Sequence, residues 1–244
     1  MNIPRIGWLV VLAAGMLASW GCGKAKVKPK KPELVAASPE EKRALAEIKK
    51  LGGRFERSRA PKGTPAGTLM PVVEVDLSNT PLRNARLEPL KALADVEVLH
   101  LINTSLGDAG LEHFQGMTRL KRLHLGYTQI SDAGLEHLKG MTNLEELHLR
   151  CTNVGNSGLE HLRGINLKRL RLNGTQVGDA GLEHLKRMTN LTLLHLGNTQ
   201  VTDAGLEHLK GLPYLRYLGL KGTKVTKERA AALKEVMPHC HIDL

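Results

Sequence analysis

With 244 residues, 41% of them apolar but only 3% aromatic, the chain can bury a sizeable core and must build it almost wholly from Leu and Val. Its formal net charge of +11 is unevenly spread: residues 24–31 hold five Lys and no acid, whereas the remainder carries mixed charge. That pattern reads as a solvated linker rather than a nucleic-acid groove, and Cys22, Cys151 and Cys240 are too few, and too irregularly spaced, for a disulfide framework or a cysteine metal site.

The first predicted element is an export signal over residues 1–22. Arg5 precedes an uncharged apolar run from Ile6 to Trp20, long enough for a signal core but short of the roughly twenty residues a spanning helix needs. The run ends at Gly21-Cys22, which resembles a bacterial lipoprotein signal. That resemblance implies a lipid on Cys22, membrane attachment through it, and an exported protein of the cell envelope, either membrane-anchored or periplasmic. Residues 23–37 follow as a Lys/Pro-rich linker able to lie against anionic headgroups. Residues 38–71 read as an amino-terminal cap. Ser38-Pro39-Glu40-Glu41 is a capping-box start, leading a helix with Ala44, Leu45, Ile48 and Leu51 on one face and Gly52-Gly53 at its end. Residues 54–57 can add a strand and 58–71 a loop.

Residues 72–226 are repetitive. Seven units begin at Val72, Val96, Leu120, Leu144, Leu167, Leu191 and Leu215, spaced by 24 residues except for one interval of 23, where a residue is missing between Ile165 and Leu167. The third unit shows the pattern in full, with Leu120, Leu123, Leu125, Thr128, Ile130, Asp132, Gly134, Leu135, Leu138 and Met141. Leu123 and Leu125 alternate as in a half-buried strand, and Leu135 and Leu138 fall on one helix face. Ser131 or Asp132 is placed to cap that helix. Each unit is thus strand, turn and short helix, and only stacking of units can close the core. Residues 227–244 form the other cap: a helix over 227–237 bearing Ala231, Leu233 and Val236, stopped by Pro238, with Cys240 and Ile242 under the last coil.

This pattern resembles the leucine-rich-repeat family over residues 72–226. The resemblance implies an α/β fold, a right-handed solenoid of seven coils with a concave parallel sheet and convex short helices. Where most of that family has Asn, this chain has Thr80, Thr104, Thr128, Thr152, Thr175, Thr199 and Thr223, whose hydroxyls can serve backbone groups at the turn. The D-A-G-L runs are similar to the cysteine-containing subtype of F-box substrate receptors, and equally to planctomycete-type bacterial arrays. The export signal and the lack of an F-box-like segment favour the bacterial form.

Four histidines, His100, His124, His148 and His195, share one outward strand position, with Asp76, Arg171 and Gly219 completing the column. Neighbours in such a row lie about 4.8 Å apart, close enough to share a zinc ion. No carboxylate cluster is expected beside the row, however, and duplication of a repeat explains it, so no metal is expected. A second row, His113, His137, His161, His184 and His208, reads as solvent-facing. In His239-Cys240-His241, alternation sets the cysteine opposite both histidines. No phosphate loop, metalloprotease helix or nucleophile elbow occurs, and neither catalysis nor a cofactor is expected.

The expected role is therefore non-catalytic protein–protein interaction, with a monomer docking a protein partner, not nucleic acid, on the concave face. Two outward columns carry the contacts: Lys121, Glu145 and Lys168 in one, Arg122, Glu146, Arg169, Leu193 and Tyr217 in the other. Basic and acidic residues alternate there, so adjacent strands can pair charges. His100, His124, His148, Arg171 and His195 join this surface, and Tyr127, Tyr217 and Leu193 are its apolar anchors. The rival roles are an envelope spacer without a dedicated ligand, or a receptor domain similar to F-box leucine-rich-repeat proteins.

Overall fold

The computed structural model describes residues 37–65 and 67–244. The export signal, Cys22 and the linker up to residue 36 lie outside them. No helix among the described residues is long and apolar enough to cross a membrane.

The amino-terminal cap forms from local signals. Ser38 Oγ accepts a hydrogen bond from the Glu41 N–H at 3.0 Å and starts helix α1 (Pro39–Lys50). Glu40 and Glu41 in its first turn and Lys49 and Lys50 in its last oppose the helix dipole at each end. Ala44, Ile48 and Leu51 are buried and close that end of the core. Strand β1 (Arg54–Arg57) then runs antiparallel to β2 (Val72–Asp76), capping the sheet edge.

The seven expected strands pair in sequence order. After β2 come β3 (Val98–His100), β4 (Arg122–His124), β5 (Glu146–His148), β6 (Arg169–Arg171), β7 (Leu193–His195) and β8 (Tyr217–Gly219), each parallel to the last. Val75, Leu99, Leu123, Leu147, Leu170, Leu194 and Leu218 stand in register along one inward row. The missing residue before Leu167 leaves Leu147 opposite Leu170, so the deletion is absorbed in the return turn. Strand β9 (His241–Asp243) adds an eighth parallel member, with Ile242 opposite Leu218. Beneath the sheet a continuous apolar row of leucines is fully buried from end to end.

The sequence departs from expectation on the helical side. Helices α2 (Asp108–Leu111), α3 (Asp132–Leu135), α4 (Asn156–Glu160) and α5 (Asp179–Leu182) are only four or five residues long. Leu138 belongs to the tighter 3-10 turn that continues α3, yet it is buried with Leu135 as the spacing predicts. Neither Ser131 nor Asp132 caps its own helix. Each Asp serves the following coil instead: Asp108 Oδ1 accepts from the Ser131 N–H at 2.7 Å, Asp132 from Gly155 at 2.6 Å, Asp179 from Thr202 at 2.8 Å and Asp203 from Thr226 at 2.7 Å. Asn84 and Asn156 do the same for Gly107 and Gly178. The glycine of the motif leaves room for that reach, because a Cβ on Gly158 would sit 2.5 Å from Asp132 Oδ1.

In the last helix, α6 (Lys227–Val236), the buried side chains are Ala230 and Leu233 followed by Met237 just beyond. Ala231 and Val236, expected inside, are exposed. The helix starts at Thr226, whose Oγ1 accepts from the Arg229 N–H at 3.2 Å, and that start sets which face turns inward. Cys240 is buried and Ile242 half-buried, as the alternation requires.

The turn after each strand carries a left-handed residue, at Asn79, Asn103, Tyr127, Cys151, Gly174, Asn198 and Gly222. Its N–H donates to the next coil, as Tyr127 does to the Arg150 carbonyl at 2.8 Å. The following Thr then folds back: Thr128, Thr152 and Thr175 donate their hydroxyls to the carbonyls of Leu125, Leu149 and Leu172 at 2.6, 2.7 and 2.6 Å. Thr152 is only 5% exposed, so water cannot replace the bond. Thr152→Val should therefore cost about 1–3 kcal/mol by orphaning the Leu149 carbonyl. Hydrogen exchange should rise in the coils around residue 152 well before it rises around Leu218. Unchanged exchange throughout would mean the turns are held by other bonds.

Candidate functional site

The outward face of the sheet is built by strand alternation. In β4, β5 and β6 the inward leucine is flanked by two outward residues, which gives Arg122 and His124, Glu146 and His148, and Arg169 and Arg171. Parallel in-register pairing then aligns His100 with His124, His124 with His148, His148 with Arg171, and Arg171 with His195.

Most acids of this face pair across the strands, whereas Asp76 accepts from the Ser78 N–H of its own turn at 2.9 Å. Glu97 meets Lys121 at 2.8 Å, Glu145 meets Lys168 at 2.8 Å, and Glu74 Oε1 lies 3.2 Å from His100 Nε2. Glu146 Oε2 accepts from Arg169 Nε at 2.7 Å. Asp243 Oδ2 accepts from the Tyr217 hydroxyl at 2.9 Å. The expected alternation holds, but it consumes the acids. Arg122 and Arg171 have no acidic partner among the described residues, and Arg171 Nε is buried without a hydrogen bond.

The centre of the face is a histidine stack. The rings of His124 and His148 lie parallel, with centroids 3.9 Å apart, and His100 meets His124 edge-on at 4.6 Å. Glu146, only 7% exposed, turns Oε1 toward both, 2.6 Å from His148 Nε2 and 3.6 Å from His124 Nε2. His124 Nε2 is buried and makes no hydrogen bond, whereas His148 Nε2 is buried in ion-pair contact with the carboxylate. Contrary to the sequence expectation, a carboxylate does stand beside the histidine row, supplied by Glu146 of the neighbouring column. The signal was present in the sequence, since Glu146 and His148 are two apart on a strand and share a face.

Burial and the neighbouring His148 and His100 push His124 down to about 4. Burial and Arg171 push His148 down to about 4 against the pull of Glu146. Burial works to raise Glu146, but its bond to Arg169 and the surrounding positive charge hold it below the usual carboxylate range. The central pair is consequently neutral near pH 7 beside an ionised carboxylate.

The three expected anchors do not act as a group. Tyr127 lies off the strands, in the left-handed turn after β4, 46% exposed with the Arg150 guanidinium 5.3 Å from its ring. Tyr217 and Leu193 do stand together on β8 and β7, half-buried. Tyr217 packs 4.8 Å from the His195 ring. Gly219, bearing no side chain at the end of the column, opens a small hollow bounded by His195, Tyr217, Asn173 and Asp243. Sequence reading missed that hollow, and also Asn173, whose Oδ1 is buried and unpartnered there.

The helical histidine row is half-buried rather than solvent-facing. Its members bridge coils: His113 Nδ1 lies 3.0 Å from Glu88, His137 Nδ1 3.0 Å from Gln115 Nε2, and His184 Nδ1 2.7 Å from Arg163. At the carboxyl-terminal cap, burial of Cys240 separates it from its flanking histidines.

Two family models described as leucine rich repeat match the chain, one at residues 94–154 and the other at 165–186 and 187–210. Together with the stacked strand–turn–helix coils, they support a leucine-rich-repeat fold. Among solved structures, an internalin from Listeria monocytogenes is similar in fold, with a TM-score of 0.57 at 20% identity. The match covers 85% of this chain and 56% of that one, so this chain spans little more than half the length of its structural relative. No curated protein sequence matches.

Because the folded-state values of His124 and His148 lie below the ordinary 6.5, the unfolded chain takes up their protons first on acidification. Stability from this pair is fully present above about pH 6.5, falls as the pH drops toward 4, and levels off below. The melting temperature in EDTA should drop more between pH 7 and 4.5 for the parent than for a His124→Gln/His148→Gln variant. An equal drop would assign the acid sensitivity to other groups.

Proposed function

We propose that the chain is a non-catalytic interaction module that docks an acidic protein surface on the concave face of its sheet. The leucine-rich-repeat fold is itself typically a protein-binding scaffold. The observation that carries the reading here is the unequal pairing of charge. Glu74, Glu97, Glu145, Glu146 and Asp243 are each engaged across the strands, at 2.7–3.2 Å, and Asp76 accepts from the Ser78 N–H, while Arg122 and Arg171 keep no acidic partner among the described residues. Their positive field is therefore left for an incoming group, and complementary charge governs encounter rate and partner choice. Arg171, already half-buried between His148 and His195 with an unmade Nε bond, loses least further hydration on docking. Nucleic acid fits less well, because Glu97, Glu145 and Glu146 interrupt any basic track.

Charge reversal at the two unpaired arginines tests this. Immobilised protein should capture a discrete partner from the source organism's envelope fraction and lose it in an Arg122→Glu/Arg171→Glu variant. A Lys139→Glu/Lys186→Glu variant, altered on the helical side, should keep it. Loss in the helical variant with retention in the sheet variant would place docking on the other side.

For the amino terminus, Gly21-Cys22 after the apolar run supports lipidation of Cys22 and attachment to an envelope membrane. Cys22→Ala should move the protein from the membrane to the soluble fraction and alter its signal processing. A variant that fractionates like the parent contradicts the lipid anchor.

A further inference from the structure

We propose that His124, His148 and Glu146 form a binding site for a divalent transition-metal ion of the zinc class. The site goes beyond the docking reading and does not depend on it: metal can bind here whether or not a protein docks.

One ligand atom from each residue lies within 4.8 Å of the others, on adjacent strands that fix their backbones. Both Nε2 atoms are buried and face Glu146 Oε1, which lies 3.6 Å from His124 Nε2 and 2.6 Å from His148 Nε2. Two imidazole nitrogens facing one carboxylate oxygen form a chelating arrangement. The donor set, two imidazoles and one carboxylate, is one that zinc accepts with a fourth position left open.

The spacing is close to what coordination needs. Tetrahedral zinc with ligand distances near 2.1 Å sets its donors about 3.4 Å apart. Glu146 Oε1 is 3.6 Å from His124 Nε2 already, and its 2.6 Å approach to His148 Nε2 must open by less than about 1 Å. Rotation about the broad imidazole χ2 torsion supplies that, and it must also turn the two rings out of their parallel stack so that both Nε2 lone pairs meet at one ion. Arg169 holds the other oxygen of Glu146, leaving Oε1 aimed at the histidines. That is the orienting contact metal ligands generally receive from a second group.

The local charge opposes the ion in part. Arg122 and Arg171 contribute positive potential at the two histidines, which weakens binding of a bare dication and favours an anionic fourth ligand. The site is therefore suited to an exchangeable ligand rather than to a closed structural zinc.

Untagged full chain, stripped with EDTA and dialysed, should be titrated with Co²⁺. The parent should take up one equivalent with a visible ligand-field absorption that Zn²⁺ displaces. His124→Gln/His148→Gln should abolish it, and His184→Gln, on the helical side, should leave it intact. If circular dichroism finds the double variant unfolded, the isosteric Glu146→Gln decides, with binding expected to weaken at least about tenfold. No absorption in the parent, absorption that survives in a folded double variant, or a Glu146→Gln affinity equal to the parent's would each overturn the site.

Discussion

No coil of this chain can satisfy its own backbone. The constraint on which everything else rests is the reach of one coil's Asp or Asn into the next, where Asp108, Asp132, Asp179 and Asp203 take the N–H at the start of the following helical turn. A helix of four residues has almost no internal hydrogen bonds to hold it, since its first N–H groups are orphans by geometry. Borrowing the cap from the preceding coil makes such short helices possible. It also sets the coil spacing on the side opposite the parallel sheet. The glycine of each motif is the price of that approach, because a Cβ on Gly134, Gly158 or Gly205 meets the carboxylate of the preceding coil's Asp108, Asp132 or Asp179.

The sheet face inherits its chemistry from this regularity. Register locked on Leu99, Leu123, Leu147 and Leu170 brings outward residues of neighbouring units side by side. Small differences between near-identical repeats are thereby turned into local sites. Glu146, where the flanking coils have Arg122 and Arg169, becomes a buried anion between cations and histidines. Gly219, where other coils have His or Arg, becomes a hollow. Function in such an array is written in the exceptions to the repeat.

Most of the fold was legible in the sequence, because a 24-residue period fixes strand, turn and core positions by repetition alone. The parallel sheet, the strand at residues 54–57 and the inward Thr ladder follow from spacing and side-chain chemistry. What was not legible depends on neighbours. Asp132 looks like an ordinary helix cap in one dimension, and only stacking shows that it caps the next coil. The left-handed turn was hidden at Tyr127 and Cys151, since neither residue favours that conformation, although Asn79, Asn103 and Gly174 in the same column hint at it. The site was less legible than the fold: columns of residues gave the histidine row, but side-chain direction decided that Glu146 joins it and that Arg122 is left unpaired. Residues in the α6 face were misassigned by one position because the helix start, at Thr226, sets the phase.

The interlock between coils can be measured with one substitution at two places. Gly158→Ala puts a methyl 2.5 Å from Asp132 Oδ1, whereas Gly211→Ala points its methyl into open space. Chemical denaturation of the two variants should find Gly158→Ala less stable by about 1–3 kcal/mol and Gly211→Ala unchanged or slightly more stable. Equal stability of the two would show that the Asp-to-glycine approach does not hold the coils together.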